Sequence, residues 1–278
     1  MSAALIIDAG ATKTAFVLLR DGAVLAEHVG EGINPNYCTD EHISQVVKGF
    51  VRAHGAHASV QHVRYYGAGC ASLENAGRVG CVLQGFFPDA TINVYTDLMA
   101  VCHALSRDRR SIVGILGTGA ATCLFDGHAI ENRAPSLGYL LGDEGSGTNL
   151  GKRLLTAYLR GQLPQAVADD LQRAHKLSFE MAIHRVYREP EPNKFWASLA
   201  PFVREHLDDG FVHQLAVEAF AEFFSRQKAF YDNAETLEWN LSGSVAFHFE
   251  ETVREAAARE HCLIGKIIQA PMPLLITQ

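Results

Sequence analysis

The residues of this chain with the means to do chemistry are carboxylates set beside turns of small residues. Asp8 is followed by Ala9-Gly10-Ala11-Thr12-Lys13, and Asp97 follows the alternating stretch Thr91–Tyr95. A third group reads Leu137-Gly138-Tyr139-Leu140-Leu141-Gly142-Asp143-Glu144-Gly145-Ser146-Gly147, an adjacent acidic pair among glycines. Carboxylates in such places could accept hydrogen bonds from hydroxyls or sit near a Mg²⁺ ion. The small-residue turns let backbone N–H groups come close to an anion such as phosphate. Each group also has a plainer role. Asp97 precedes an expected helix over Leu98–Leu105, where Asp is a favoured N-cap. Asp143 and Glu144 precede an expected helix over Asn149–Arg160, whose N-terminus favours acidic neighbours.

The elements that must carry these groups repeat. Leu5–Ile7 runs into the Asp8–Thr12 turn, then Ala15–Leu19, then Asp21-Gly22. Ile112–Leu116 runs into Gly117-Thr118-Gly119, then Ala120–Phe125, then Asp126-Gly127. Two apolar runs around a small-residue turn read as a hairpin, and the recurrence of one plan is the mark of a duplicated fold. Two such hairpins facing one another would grip a polyphosphate from both sides, which is a nucleotide cleft. Glycine turns after expected strands recur near Gly67 and at Gly243-Ser244, the latter suited to an adenine or ribose.

Between these lie recognisable connecting elements. Thr39–His54 has helical periodicity, with Thr39 or Asp40 to cap it and Gly55 to stop it. Before it, Asn34-Pro35-Asn36-Tyr37 either makes a turn or offers amides and a ring to a polyol. Val60–Tyr66 and Leu237–Leu241 read as strands, Glu74–Phe87 as a helix. Leu163–Ala174, Ser178–Arg188, Lys194–Leu207, Phe211–Tyr231 and Phe247–Arg259 read as further helices, with Trp196, Phe202, Phe220, Phe223 and Phe224 as core. Pro271 and Pro273 interrupt the tail.

The 278 residues are 48% apolar and 20% charged, enough for one large core or two moderate ones. A net charge of −7 argues against nucleic acid or an anionic membrane as the main partner. No apolar run approaches the ~20 residues of a membrane span. The first strand begins close to Met1, so no signal peptide is expected. Cys38, Cys70, Cys81, Cys102, Cys123 and Cys262 are scattered without a C-x-x-C pair, which suits reduced thiols and a cytoplasmic location.

Taken together, DAGATKT at Asp8–Thr14, YTD at Tyr95–Asp97, GTGAAT at Gly117–Thr122 with LGDEGSG at Leu141–Gly147, and GSVA at Gly243–Ala246 resemble a known family. It is the N-acetylglucosamine kinase-like branch of the actin-like ATPase and sugar kinase superfamily, which includes the BadF/BadG-type ATPases. The match runs in order from about residue 5 to about residue 270. The resemblance implies an α/β chain of two ribonuclease H-like lobes, residues 1–106 and 107–278, with a helical insert in the second and the last residues packing back on the first. ATP, Mg²⁺ and sugar would lie in the cleft between the lobes. It assigns Asp8 to the metal, and Asp8, Gly10, Ala11, Thr12 and Lys13 to the nucleotide phosphates. Thr118 and Gly119 would grip the phosphates from the other lobe, and Gly243 and Ser244 would line the adenosine pocket. Asp97 matches the catalytic base, and Asn36, Asp97, Gly138, Asp143 and Glu144 match sugar-binding positions.

The resemblance thus implies ATP-dependent phosphorylation of an amino sugar, N-acetylglucosamine on its 6-hydroxyl, by a homodimer that binds neither nucleic acid nor membrane. Glucosamine and muramyl sugars are alternatives within the class. The family's second loop usually reads G-T-G-S-N, whereas here Gly119 is followed by Ala120 and Ala121, which removes an amide that helps to bind sugar. Two other activities remain open on sequence alone: an ATP-driven activator of a radical dehydratase or reductase, and a nucleotide- or sugar-binding regulator without turnover.

Overall fold

The computed structural model describes residues 3–10, 12–55 and 60–277. The chain divides into two compact α/β units, Met1–Leu105 with Pro271–Gln278, and Ser106–Ala270. Unit 1 is built on β1 (Ala3–Ala9), β2 (Lys13–Arg20), β3 (Ala23–Glu31), β4 (Val60–Gly67) and β5 (Thr91–Thr96), with helices α1 (Asp40–His54), α2 (Leu73–Phe86) and α3 (Asp97–Leu105). Its sheet has the order β3-β2-β1-β4-β5. The first three strands are antiparallel neighbours, whereas β1, β4 and β5 run parallel.

Unit 2 repeats the plan. Its strands are β6 (Ser111–Leu116), β7 (Ala120–Phe125), β8 (Ile130–Arg133), β9 (Glu238–Ser242) and β10 (Leu263–Ile268), in the order β10-β9-β6-β7-β8. Again the first three in sequence are antiparallel and the later two join β6 in parallel. Between β8 and β9 comes a helical stretch: α4 (Gly138–Leu141), α5 (Gly147–Leu159), α6 (Gln165–His175), α7 (Phe179–Tyr187), α8 (Pro192–Ala197), α9 (Ala200–Glu205) and α10 (Gly210–Lys228). Helices α11 (Ser244–His248) and α12 (Glu250–Arg259) connect β9 to β10, and α13 (Met272–Leu275) returns to unit 1 against α3.

Period-two burial explains the sheet of unit 1. Leu5, Ile7, Phe16 and Leu18 pack with Ile43, Val47, Phe50, Val79 and Leu83 of α1 and α2. Ile6, Val17, Leu19 and Tyr66 face the other way, towards Ala100 of α3 and Leu275 of α13. Helix α1 is capped as the sequence suggests: Thr39 accepts the His42 N–H, and Gly55 ends it in a left-handed conformation.

Two strands escape a hydropathy reading. Neither β3 nor β8 has a fully buried residue; both are edge strands held mainly by ladder pairing to β2 and β7. Two expected helices are each broken in two. Lys194–Leu207 divides into α8 and α9, because Pro201 has no N–H to continue α8 but fits the first turn of α9. Phe247–Arg259 divides at buried Phe249, whose φ of −109° and ψ of 23° leave the helical region and let α12 set off anew. Among the described residues no helix is long and apolar enough to cross a membrane.

Helix α5 lies so close to α8 that a Cβ at Gly151 would stand 1.8 Å from the Trp196 carbonyl oxygen. Gly77 in α2 has no atom within 4 Å of the same position. Urea unfolding is therefore expected to show Gly151→Ala losing about 3 kcal/mol of stability through overpacking, while Gly77→Ala gains about 0.5–1 kcal/mol.

Candidate active site

In unit 1 the carboxylates converge at the carboxyl ends of parallel strands. Asp8 of β1 is level with Tyr66 of β4, and Tyr66 with Tyr95 of β5, so Asp97 begins α3 one step beyond the neighbouring strand end. The helix is capped by Thr96, whose Oγ1 accepts the Met99 N–H at 3.2 Å, while Asp97 Oδ1 accepts the Leu98 N–H at 2.9 Å. The capping duty that the sequence allowed to Asp97 is thus carried largely by its neighbour.

Asp8 is held where its charge is poorly solvated. Its pKa is pushed up to about 6, mainly by burial and then by the Asp97 carboxylate, with Lys13 acting in the opposite direction. Among the described residues no three His, Cys, Asp or Glu side chains form a metal-binding group. Gly10 closes the hairpin turn by donating its N–H to the Lys13 carbonyl at 2.9 Å. Thr12 and Lys13 are exposed; Ala11 lies outside the described residues.

The turn after β4 has a different role from the one its glycines suggest. A Cβ on Gly69, whose φ is +81°, would lie 2.4 Å from Asn34 Oδ1 and 3.1 Å from Asn36 Nδ2. This glycine therefore serves the close packing of the Asn34–Asn36 loop. Asn36 is itself exposed, and its Oδ1 accepts a hydrogen bond from Asn75 Nδ2 at 2.7 Å. Asn75 and the nearby Arg78 were invisible as site residues in the sequence. The i, i+3 spacing puts them on one face of α2, but nothing local says which loop that face meets.

In unit 2 three glycine turns meet at the ends of β6 and β9. Gly117 donates to the Gly119 carbonyl at 3.0 Å, and its own carbonyl accepts the Gly147 N–H at 2.8 Å. The Thr118 carbonyl accepts both the N–H and the hydroxyl of Thr148, at 3.2 and 2.7 Å. Gly243, with φ of +118°, passes so near β6 that a Cβ would be 2.2 Å from the Leu116 carbonyl oxygen. Gly117, Thr118, Ala200, Ser244, Val245 and Phe249 are among the walls of a cavity of about 440 Å³. Its walls combine apolar side chains with the polar side chains of Arg204, Glu205 and His248.

Asp143 joins the same turn from the other side. Its Oδ1 accepts the Ala120 N–H at 3.0 Å, and a Cβ on Gly119 would crowd its carboxylate at 3.1 Å. Burial and the adjacent Glu144 raise its pKa, against the lowering effect of that N–H. Asp143, Glu144, Ala120 and Ala121 line a second cavity, of about 790 Å³, together with Glu222 and Arg226. Gly138 begins α4, and its carbonyl accepts the Gly142 N–H at 2.8 Å. Of the six cysteines, Cys70, Cys102, Cys123 and Cys262 are buried, Cys38 is half-buried and Cys81 is exposed.

Twice-used sheets of order 3-2-1-4-5, with acids and glycine turns at their strand ends, define the actin-like ATPase fold. Solved structures agree with this over the whole chain. A Porphyromonas gingivalis protein, provisionally assigned as an N-acetylglucosamine kinase, is 34% identical, with a TM-score of 0.92 over 99% of this chain and 97% of its own. A Chromobacterium violaceum protein with the same provisional assignment is 19% identical, with a TM-score of 0.72 over 100% and 99%. A ROK-family glucokinase from Streptomyces griseus, solved with glucose and AMPPNP, is 15% identical, with a TM-score of 0.57 over 99% and 97%. A scan of protein-family models finds no match, nor does a search of curated proteins. The chain belongs to the N-acetylglucosamine kinase-like branch of the actin-like ATPase and sugar kinase superfamily.

The environment of Asp8 makes a pH prediction. Its folded pKa of about 6 lies above the ordinary value of 3.8, so between these values the folded state holds a proton that the unfolded state releases. Stability due to this group is present below pH 4 and lost as pH rises through 6. Relative to wild type, Asp8→Asn should gain stability on the order of 2 kcal/mol between pH 4.5 and pH 7.5. Unfolding curves at the two pH values measure this, and parallel profiles would contradict it.

Proposed function

We propose that this sugar kinase transfers the γ-phosphoryl group of ATP to an amino sugar, N-acetylglucosamine on its 6-hydroxyl, with Asp97 as the general base. The observation that carries the reading is the pairing of Asp97 with Asp8 at the carboxyl ends of the parallel strands of unit 1. The 34% likeness over nearly all of both chains to the P. gingivalis protein supports the choice of sugar.

Phosphoryl transfer needs positioning, charge neutralisation and a base near the attacking hydroxyl. Asp97 would take the hydroxyl proton on its carboxylate as the oxygen forms its bond to phosphorus. Asp8 would hold Mg²⁺, directly or through water, and the ion when bound supplies positive charge to the phosphates. In unit 2 the N–H groups of Thr118 and Gly119 would serve phosphate oxygens, and the pocket beside Ser244 and Val245 would take the adenosine. Gly10, Thr12 and Lys13 are proposed to meet the phosphates from unit 1. Asn36, Asp143, Glu144 and Gly138 are proposed for the sugar. The space beside Ala121, where the family usually has Asn, would then be free for a substituent on the sugar.

A coupled ADP-release assay with Mg²⁺–ATP and a panel of amino sugars and hexoses tests the reading. It is expected to respond sharply to one amino sugar. Asp97→Ala should lower turnover by about 10²–10⁴-fold while leaving ATP binding nearly intact by calorimetry. Turnover at the wild-type level in this variant would remove Asp97 from the role of base.

A further inference from the structure

The loop that bears Asn36 is held from outside by two residues of α2. Arg78 donates from Nη1 to the Pro35 carbonyl at 2.8 Å and from Nη2 to the Cys38 carbonyl at 3.0 Å, and its Nε meets Asp40 Oδ1 at 2.9 Å. At the loop's start, His42 Nε2 lies 3.0 Å from the Gly32 carbonyl. Within the loop, Asn34 Oδ1 accepts the Asn36 N–H at 3.1 Å. The backbone around Asn36 is thereby tied to both neighbouring helices.

The side-chain amide is fixed as well, and its direction follows from chemistry alone. The Gly69 carbonyl can only accept, so the Asn75 atom 2.9 Å from it is Nδ2. Arg78 can only donate, so the Asn75 atom 3.2 Å from Nη1 is Oδ1. Both partners demand the same orientation of Asn75. Its second N–H then points at Asn36 from 2.7 Å, and the receiving atom must be Oδ1. The group left over on this exposed side chain is Nδ2, which lies beside Gly69 and from which no described residue accepts. The two fixed partners of Asn75 thus specify one orientation for both amides.

We propose that Asn75 and Arg78 are positioning residues that set substrate specificity by turning Asn36 to present only hydrogen-bond donors. The position then recognises an acceptor, such as the oxygen of a sugar hydroxyl, and gives nothing to a group that can only donate. The inference rests on the sugar-kinase reading and on the assignment of Asn36 to the sugar. Neither α2 residue touches substrate; both act through Asn36. In Asn75→Asp, Arg78 keeps its acceptor, but the carboxylate has no proton to give Asn36. The Asn36 amide must then turn its NH₂ inward and its oxygen outward.

The test is steady-state kinetics of wild type, Asn75→Asp and Asn75→Ala. The substrates are the amino sugar that wild type phosphorylates and its monodeoxy and deoxyfluoro analogues. Fluorine accepts weakly and donates nothing, so at one hydroxyl position wild type should tolerate the fluoro analogue better than the deoxy one. Asn75→Asp should raise the KM for sugar about 10-fold, leave kcat and the KM for ATP within about 3-fold, and abolish the fluoro preference. Asn75→Ala, which frees the amide, should raise the sugar KM without reversing any preference. Unchanged sugar KM in both variants, or equal losses in every parameter, would overturn the inference while the kinase reading stands. A wild type that phosphorylates no sugar would overturn both.

Discussion

A half-buried carboxylate beside a second carboxylate is the constraint on which unit 1 is arranged. Asp8 and Asp97 end up close because β1 and β5 flank β4 in parallel and stop at nearly the same level. Their mutual repulsion and the burial of Asp8 oppose ionisation, and Lys13 relieves this only in part. Such an arrangement is costly unless something at the site balances the charge, and in the proposed function a divalent cation would do so. The rest of unit 1 supports these strand ends: α1 and α2 cover one face of the sheet, α3 and α13 the other.

Unit 2 uses the same topology for a different purpose. Its strand ends carry close backbone approaches: Gly243 against Leu116, Gly147 against Gly117, and Asp143 against Gly119. Backbone groups brought this near leave room only for glycine at Gly243, and they bind the Gly117–Gly119 turn to the start of α5. One duplicated plan has thus given one unit its acids and the other its glycine-built pocket. Asp143 ties the acidic loop into that turn, so a change in either would be felt by the other.

Much of this was legible in the sequence, and what was not has identifiable causes. The two hairpins, helix α1 with both caps, and strands β4, β5 and β9 follow from periodicity and turn residues. The place of Asp97 directly after β5 follows from the alternating stretch before it. Strands β3 and β8 were hidden because an edge strand held by ladder pairing need not show a buried face. The breaks at Leu199–Pro201 and Phe249 interrupt apolar patterns that periodicity alone would continue. The glycines near 67–69 looked like a ligand turn, yet Gly69 makes room for the Asn34 and Asn36 side chains. The contacts of Asn75 and Arg78 with the Asn36 loop were hidden because they span 38–43 residues, a separation that no local spacing encodes.

The measurement that tests the central claim most directly is phosphorus NMR of wild-type protein incubated with Mg²⁺–ATP and the amino sugar to which it responds. A sugar kinase converts ATP to ADP and a sugar phosphomonoester in equal amounts, with little inorganic phosphate. ATP consumed to ADP and inorganic phosphate, with no phosphomonoester formed, would contradict the account and point instead to an ATPase that drives another protein.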